Sequence, residues 1–212
     1  MSQAKIDRLH YVRLPNAQGG RAEMVRLCYV LAGRRFENVF WDLSEARERA
    51  AQHNPFKQFP FIETADGRTL YQTLAIMHHV AEGTSMWPSG PALTRALAVA
   101  MGAYDLYQAF GGFLATDLAA KQKFEEKQAP KYFVGLEGMY AESAFATGEG
   151  PSFADCIAHE AIDWCVRRNE ASRALFEQSS ALKAFVERFR ALPAVQEFRA
   201  AQAAARQVDN TV

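Results

Sequence analysis

In the first part of the chain the spacing of apolar residues changes from segment to segment. Leu9, Tyr11 and Arg13 alternate with His10, Val12 and Leu14, and this period of two suits a strand. Gly19 and Gly20 interrupt it. Met24, Leu27, Cys28 and Leu31 then fall at i, i+3, i+4 and i+7, one face of a helix that Gly33 stops. The run Phe-Glu-Asn-Val-Phe-Trp at 36–41 reads as a second strand, and 44–53 as a short polar helix or an irregular segment. Two strand-like runs, 58–64 and 68–72, are joined through Asp66-Gly67, which predicts a hairpin. Leu74, Met77 and Val80, with Ala81 beside them, mark another helix, ended by Glu82-Gly83. The predicted order β-α-β-(α)-β-β-α describes a small mixed sheet flanked by helices.

Pro88, Ser89, Gly90 and Pro91 give 85–91 the composition of a linker. Beyond it only helical spacing is found. One long helix is expected from Ala92 to about Lys121, interrupted or bent near Gly111-Gly112, and a second from Glu125 to Phe145. A third spans Ser152 to Arg168, with Ile157, Ala161 and Cys165 four apart. Leu182, Phe185, Val186 and Phe189 mark a fourth, closed before Pro193, and the alanine-rich tail 200–205 is expected to fray. The division is therefore an α/β domain over 1–83 and an all-helical domain over 92–212.

Composition narrows the partners. The 212 residues carry 24 basic and 24 acidic side chains, a formal net charge of zero, so neither nucleic acid nor an anionic membrane is expected as the main partner. With 49 % hydrophobic residues the chain is an ordinary globular one. Cys28, Cys156 and Cys165 are odd in number and lack C-x-x-C spacing, which argues against a disulfide framework or a redox dithiol. No run approaches the ~18 apolar residues of a membrane span, and 1–8 has no signal-peptide core, so the cytoplasm is the expected compartment. The five histidines show no HxxxH pair, and no metal is expected.

Two places carry candidate chemistry. Pro60 opens a strand, where a residue without an amide hydrogen suits a turn or sheet edge. Were the Phe59–Pro60 bond cis, the N–H and C=O of Phe59 would face outward, able to pair with an extended peptide; a trans edge proline is the plainer alternative. At Gln72-Thr73 a strand hands over to a helix. Free amides and the positive dipole end suit a carboxylate there, or Thr73 is simply an N-cap.

With Gly20-Arg-Ala-Glu23, these segments resemble the cytosolic glutathione transferases, most closely the tyrosine-type (sigma, alpha, mu and pi-like) members. The resemblance rests on Pro55-Phe-Lys-Gln-Phe-Pro60, Asp66-Gly67 and Leu70-Tyr-Gln-Thr-Leu-Ala-Ile-Met77, where the family reads P-F-G-Q-x-P, D-G and L-x-Q-S-x-A-I. Gly150-Pro-Ser-Phe-Ala-Asp155 is similar to the family's G-x-x-x-A-D, in which Ser152 and Asp155 would satisfy orphan amides reciprocally. Leu192-Pro-Ala-Val195 matches its final L-P-x-V.

The resemblance implies a thioredoxin-like N-terminal domain that binds glutathione and an all-helical C-terminal domain that supplies the pocket for a hydrophobic electrophile. It implies that Gln58 and Phe59, beside a cis Pro60, hold the cysteinyl part of glutathione, and that Gln72 and Thr73 take its γ-glutamyl end. It also implies a homodimer, in which Asp105 reaches glutathione in the partner subunit. Arg47 or Arg49 would meet the glycyl carboxylate bidentately; Trp41 falls several residues too early and reads as core. The family's catalytic tyrosine stands five residues before the glycine of G-R-A-E, whereas Tyr11 stands nine before Gly20. Either four residues are inserted between Arg13 and Gly19, or Pro15 fills that position; Gln18 replaces the cysteine of the bacterial P-x-A-C pattern. Tyr11 is the candidate thiol activator, with Arg21 adding positive potential and Asn16 or Arg13 next in line. Tyr104, Tyr107, Phe110 and Phe113 form a helical stripe, core or dimer interface, with Met101 and Gln108 as further pocket candidates. The implied activity is conjugation; glutathione-dependent isomerisation or ether cleavage, and a non-catalytic binding module, are the alternatives.

Overall fold

The computed structural model describes residues 5–13, 19–111, 117–148 and 150–209, with 206–209 by backbone alone. It divides into two compact units, 1–87 and 88–212. In the first, β1 (Asp7–Val12), α1 (Arg21–Leu31) and β2 (Phe36–Trp41) form a parallel β-α-β unit. After α2 (Leu43–His53), β3 (Phe61–Glu63) and β4 (Thr69–Tyr71) make an antiparallel hairpin, and α3 (Thr73–Ala81) follows. The sheet order is β2-β1-β3-β4, with β3 antiparallel to β1.

Local chemistry accounts for these boundaries. Gly33 adopts φ +65°. Its amide reaches the Val30 carbonyl at 3.2 Å while that of Arg34 reaches Tyr29 at 3.0 Å, a Schellman closure of α1. The hairpin closes through paired hydrogen bonds between Thr64 and Arg68, with Gly67 at φ +89° in the loop, so the connection is longer than a two-residue Asp-Gly turn. Helix α1 packs against α3, and Ala22 through Tyr29 are all buried. By contrast α2 buries only Ala46 and Ala50.

The second unit is helical: α4 (Gly90–Gly111), α5 (Leu118–Lys123), a π-helical turn (Phe124–Gln128), α6 (Ala129–Ala141), α7 (Phe153–Arg168), α8 (Glu170–Gln178), α9 (Ser180–Arg190) and α10 (Pro193–Asp209). Helix α7 lies at its centre, buried without interruption from Phe153 to Cys165 and packed on α4, whose buried Ala96, Ala100 and Ala103 permit close approach. Its start has the expected capping box. Asp155 accepts from the Ser152 amide and hydroxyl, each at 2.8 Å, from the Ala146 amide at 2.8 Å and from the Tyr140 hydroxyl at 3.0 Å.

The interruption expected near Gly111-Gly112 agrees with the structure: α4 ends at Gly111, and Asp117 caps a new helix by accepting from the amides of Ala119 and Ala120. Other helical expectations need correction. The second is not one α-helix from Glu125 to Phe145 and ends at Ala141. Pro130 lacks an N–H for the carbonyl four residues back, and the π turn just upstream accommodates the gap. Helix α8 was not foreseen; Asn169 starts it by accepting from the Ser172 amide at 2.8 Å. The tail 200–205 is helical, in keeping with the high helix propensity of alanine.

Candidate functional site

A shallow open hollow in the first unit is lined by Asn54, Gln58, Phe59, Pro60, Gln72 and Thr73. Asn54 builds one wall. It follows the last residue of α2, is 2 % exposed, and uses its side chain at both ends. Its Oδ1 accepts from the Phe56 amide at 2.8 Å, its Nδ2 donates to the Gln58 carbonyl at 2.7 Å, and its own carbonyl accepts from the Lys57 amide at 2.8 Å. Lys57 has φ +53°, which explains why glycine suits this position in the P-F-G-Q pattern. The turn delivers the chain to Phe59–Pro60, whose peptide bond is cis. Among the described residues no hydrogen bond engages the amide or carbonyl of Phe59. One face of the hollow therefore offers an extended ligand a donor and an acceptor.

The opposite wall is the start of α3. Gln72 occupies the N-cap at φ +72° with no side-chain capping bond, and Thr73, 4 % exposed, is the first helical residue. Thr73 is thus not the N-cap. The first intrahelical bond is donated by Ile76 to the Gln72 carbonyl, so the amides of 73–75 have no acceptor within the helix. Three amides and the positive dipole end together favour an anion.

Tyr11 lies beside this hollow without lining it. The β1–β3 register pairs His10 with Phe61, and one step further Tyr11 falls opposite Pro60. Its ring stands edge-on to Phe59, centroids 6.4 Å apart, with the Arg26 guanidinium 5.8 Å from its centre. Arg21 begins α1 directly after Gly20 and is half-buried. Arg13 donates its amide to the Trp41 carbonyl at 2.8 Å and places its guanidinium over Phe40. Pro15, Asn16, Ala17, Gln18 and Phe113 lie outside the described residues.

The two α2 arginines do not line the hollow. Arg47 is exposed, and Arg49 packs its guanidinium 4.8 Å from the Trp41 ring centre. Trp41 is half-buried, and its indole N–H donates to His10 Nδ1 at 3.1 Å. In the second unit Asp105 is exposed on α4. Of the aromatic stripe, Phe110 is buried and Tyr107 packs on Trp164 at 5.6 Å, whereas Met101 and Gln108 are exposed. Among the described residues no three His, Cys, Asp or Glu side chains cluster as metal ligands, and no helix is long and apolar enough to cross a membrane.

Sequence reasoning missed three residues around the site. The Asn54-Pro55 pair was a legible turn signal, though not its grip on Gln58. Arg26, 5 % exposed, is held by Glu23 at 2.9 Å and Asn38 at 2.7 Å. His10 is buried among rings from β2, α2 and β3, partners that no local pattern reveals.

The architecture is a thioredoxin-like sheet unit followed by an all-helical unit, with an open hollow in the first. Comparison with known sequences gives the family. The family model described as glutathione S-transferase, N-terminal domain, matches residues 12–82, and that described as glutathione S-transferase, C-terminal domain, matches 104–202. The chain belongs to the glutathione S-transferase family. It is 29 % identical over 196 residues to glutathione S-transferase 3 of Gallus gallus, covering 85 % of this chain and 81 % of that protein. A monomeric glutathione S-transferase of the hookworm Necator americanus superposes with a TM-score of 0.77 at 23 % identity, over 92 % of this chain and 97 % of its own. The Pi-class glutathione S-transferase of Onchocerca volvulus does so at 0.79 and 20 %, over 94 % and 95 %.

Proposed function

We propose that this protein conjugates glutathione, through its thiolate, to a hydrophobic electrophile. The observation that carries the reading is one hollow offering both the unengaged backbone of Phe59 and the uncapped start of α3. Glutathione is an extended peptide with a carboxylate at each end, and these walls complement such a ligand. In this reading the cysteinyl backbone pairs with Phe59 beside Gln58 and Pro60. The γ-glutamyl carboxylate sits on Gln72, Thr73 and the α3 amides, and Arg47 or Arg49 takes the glycyl carboxylate. The protein acts in the cytoplasm as a homodimer in which Asp105 reaches the partner's glutathione; Phe56, 56 % exposed beside the hollow, supports an intermolecular contact there.

Tyr11 is the proposed thiol activator, with Arg21 raising the local potential. A reference thiol titrates near ~8.5, so substantial ionisation at neutral pH needs roughly 2.7 kcal/mol. One hydrogen bond to a charged acceptor contributes about 1.5–3 kcal/mol, so one phenol supplies most of it. The rest of catalysis is proximity between thiolate and electrophile.

The test is retention on immobilised glutathione followed by turnover of a generic aryl halide, together with Tyr11→Phe. The variant should lose about 10- to 100-fold in turnover, and the bound thiol should titrate closer to ~8.5, read from thiolate absorbance. Unchanged turnover and thiol titration would move the role to Arg13 or Asn16. Retention with no turnover of any electrophile would sink the conjugation reading, and a monomer by light scattering would sink the dimer.

A further inference from the structure

His10 occupies an unusual place beside the hollow. It is 2 % exposed, and its ring stacks on Phe61 at 4.4 Å, the residue after Pro60. On one side it receives the Trp41 indole N–H at 3.1 Å, two residues before α2 begins. On the other its ring lies 6.2 Å from that of His53, the last residue of α2, which also stacks on Phe61 at 5.1 Å. One imidazole therefore touches the chain at both ends of α2. That helix buries only Ala46 and Ala50, so apolar packing contributes little to fixing it, and the end contacts matter more. Its exit delivers Asn54, which shapes the hollow, and its entry carries Trp41, on which Arg49 rests.

The protonation state follows from donor chemistry. An indole N–H only donates, so His10 Nδ1 must present a lone pair and the ring proton must sit on Nε2. Nε2 faces Glu63 Oε2 at 3.4 Å without an aligned hydrogen bond, and that carboxylate already accepts from Arg8 at 2.8 Å. A second proton, on Nδ1, would oppose the Trp41 N–H head-on. The charged or titratable groups facing His10 are Arg8 from β1, itself 3.6 Å from Glu37 of β2, Glu63 from β3, and His53 from α2. Burial pushes the imidazole below its ordinary pKa, against the upward pull of Glu63.

We propose that neutral His10 is a positioning residue of the glutathione site, clamping both ends of α2 and releasing them when protonated in acid. The inference rests on the glutathione reading given above. Affinity for glutathione should fall on acidification through a group that never touches the ligand. S-methylglutathione is the probe, because its sulfur does not ionise and its carboxyls titrate near ~3.5, whereas the bound thiol of glutathione, lowered by the proposed activation, would itself titrate between about pH 7 and 5.

The experiment measures S-methylglutathione affinity by calorimetry at both pH values for the wild type, His10→Asn and His10→Leu, with folding checked by circular dichroism. Asn can place Oδ1 where Nδ1 stood but does not titrate. At pH ~7 His10→Asn should bind within about twofold of wild type and His10→Leu at least about fivefold more weakly. From pH ~7 to ~5 the wild type should weaken about fivefold or more and His10→Asn less than about twofold. In parallel, the ¹⁵N-indole resonance of Trp41, assigned with Trp41→Phe, is followed against pH without ligand. It should move in the wild type and stay fixed in His10→Asn. A folded His10→Leu that binds as tightly as wild type, or equal acid sensitivity in wild type and His10→Asn, overturns the proposal. If even the wild type fails to bind glutathione, the functional reading fails, and the indole titration alone decides for His10.

Discussion

Two helices begin in buried or half-buried surroundings, and they begin differently. At the start of α7 the protein supplies its own carboxylate: Asp155 accepts from the N-cap amide and hydroxyl of Ser152, from the Ala146 amide and from the Tyr140 hydroxyl. At the start of α3 it supplies none: Gln72 at the N-cap makes no capping bond, and Gln72 and Thr73 line the hollow. A helix start is a folding device in one unit and, in the function proposed above, a ligand subsite in the other. What separates them is one carboxylate, present at the third helical position of α7 and replaced at the third of α3 by Ala75.

Removing the internal anion should have the largest effect. Asp155→Ala strands four donors in the core of the helical unit and should cost about 3–5 kcal/mol, read from the urea midpoint. A loss below about 1 kcal/mol would mean that water replaces the carboxylate and that the sealed end is not sealed.

Acid should expose a second asymmetry within the same unit. His159 of α7 is fully buried, stacked on Phe189 at 4.7 Å, with Arg190 and Arg199 nitrogens each 3.4 Å from its Nε2. Burial, reinforced by Arg199, Arg190 and Arg167, holds its pKa well below the ordinary value. The folded state thus keeps it neutral while the unfolded chain takes up a proton near ~6.5. Stability from this group is intact above that pH and is lost as pH falls below it, by up to ~1.4 kcal/mol per pH unit. Urea titrations at successive pH values should show this slope in wild type and a shallower one in His159→Gln.

The open end can also be closed by design. Ala75 is exposed, and Ala75→Glu places a carboxylate at the third position of α3. The first unit should gain about 0.3–1 kcal/mol while glutathione binds several-fold more weakly, because protein and ligand then compete for the same amides. Equal affinity in the variant would detach the ligand carboxylate from α3. A change confined to stability is expected at Lys57: relieving its φ of +53° with Lys57→Gly should stabilise by about 0.5–1 kcal/mol without altering the hollow, checked by thermal melting.

How far the sequence carried depends on how local each cause is. The β-α-β order, the Gly33 stop and the Ser152–Asp155 box were readable because every partner lies within a few positions. Helix α8 was not, since it turns on Asn169 acting as a cap amid polar residues rather than on an apolar stripe. Of the candidate site, the pocket-lining Gln58, Phe59, Pro60, Gln72 and Thr73 share the hollow. Arg47 and Arg49 stand apart from it because α2 turns one outward and lays the other on Trp41. The place of Tyr11 needed the strand register, which links residues about fifty apart in the chain. His10 and Arg26 depend on partners in other elements, so no window of sequence contains their surroundings.

The chain's own cysteines carry one more consequence. Cys28, Cys156 and Cys165 are all buried. Burial pushes the Cys28 thiol up to about 12 and also raises that of Cys165. At neutral pH Cys28 therefore stays a thiol, and the fold screens it from reagents. A protein proposed to work among alkylating molecules keeps all three of its own thiols buried, and in the proposed mechanism it activates only the one it borrows. Such an arrangement lets it meet its substrates repeatedly without being consumed by them.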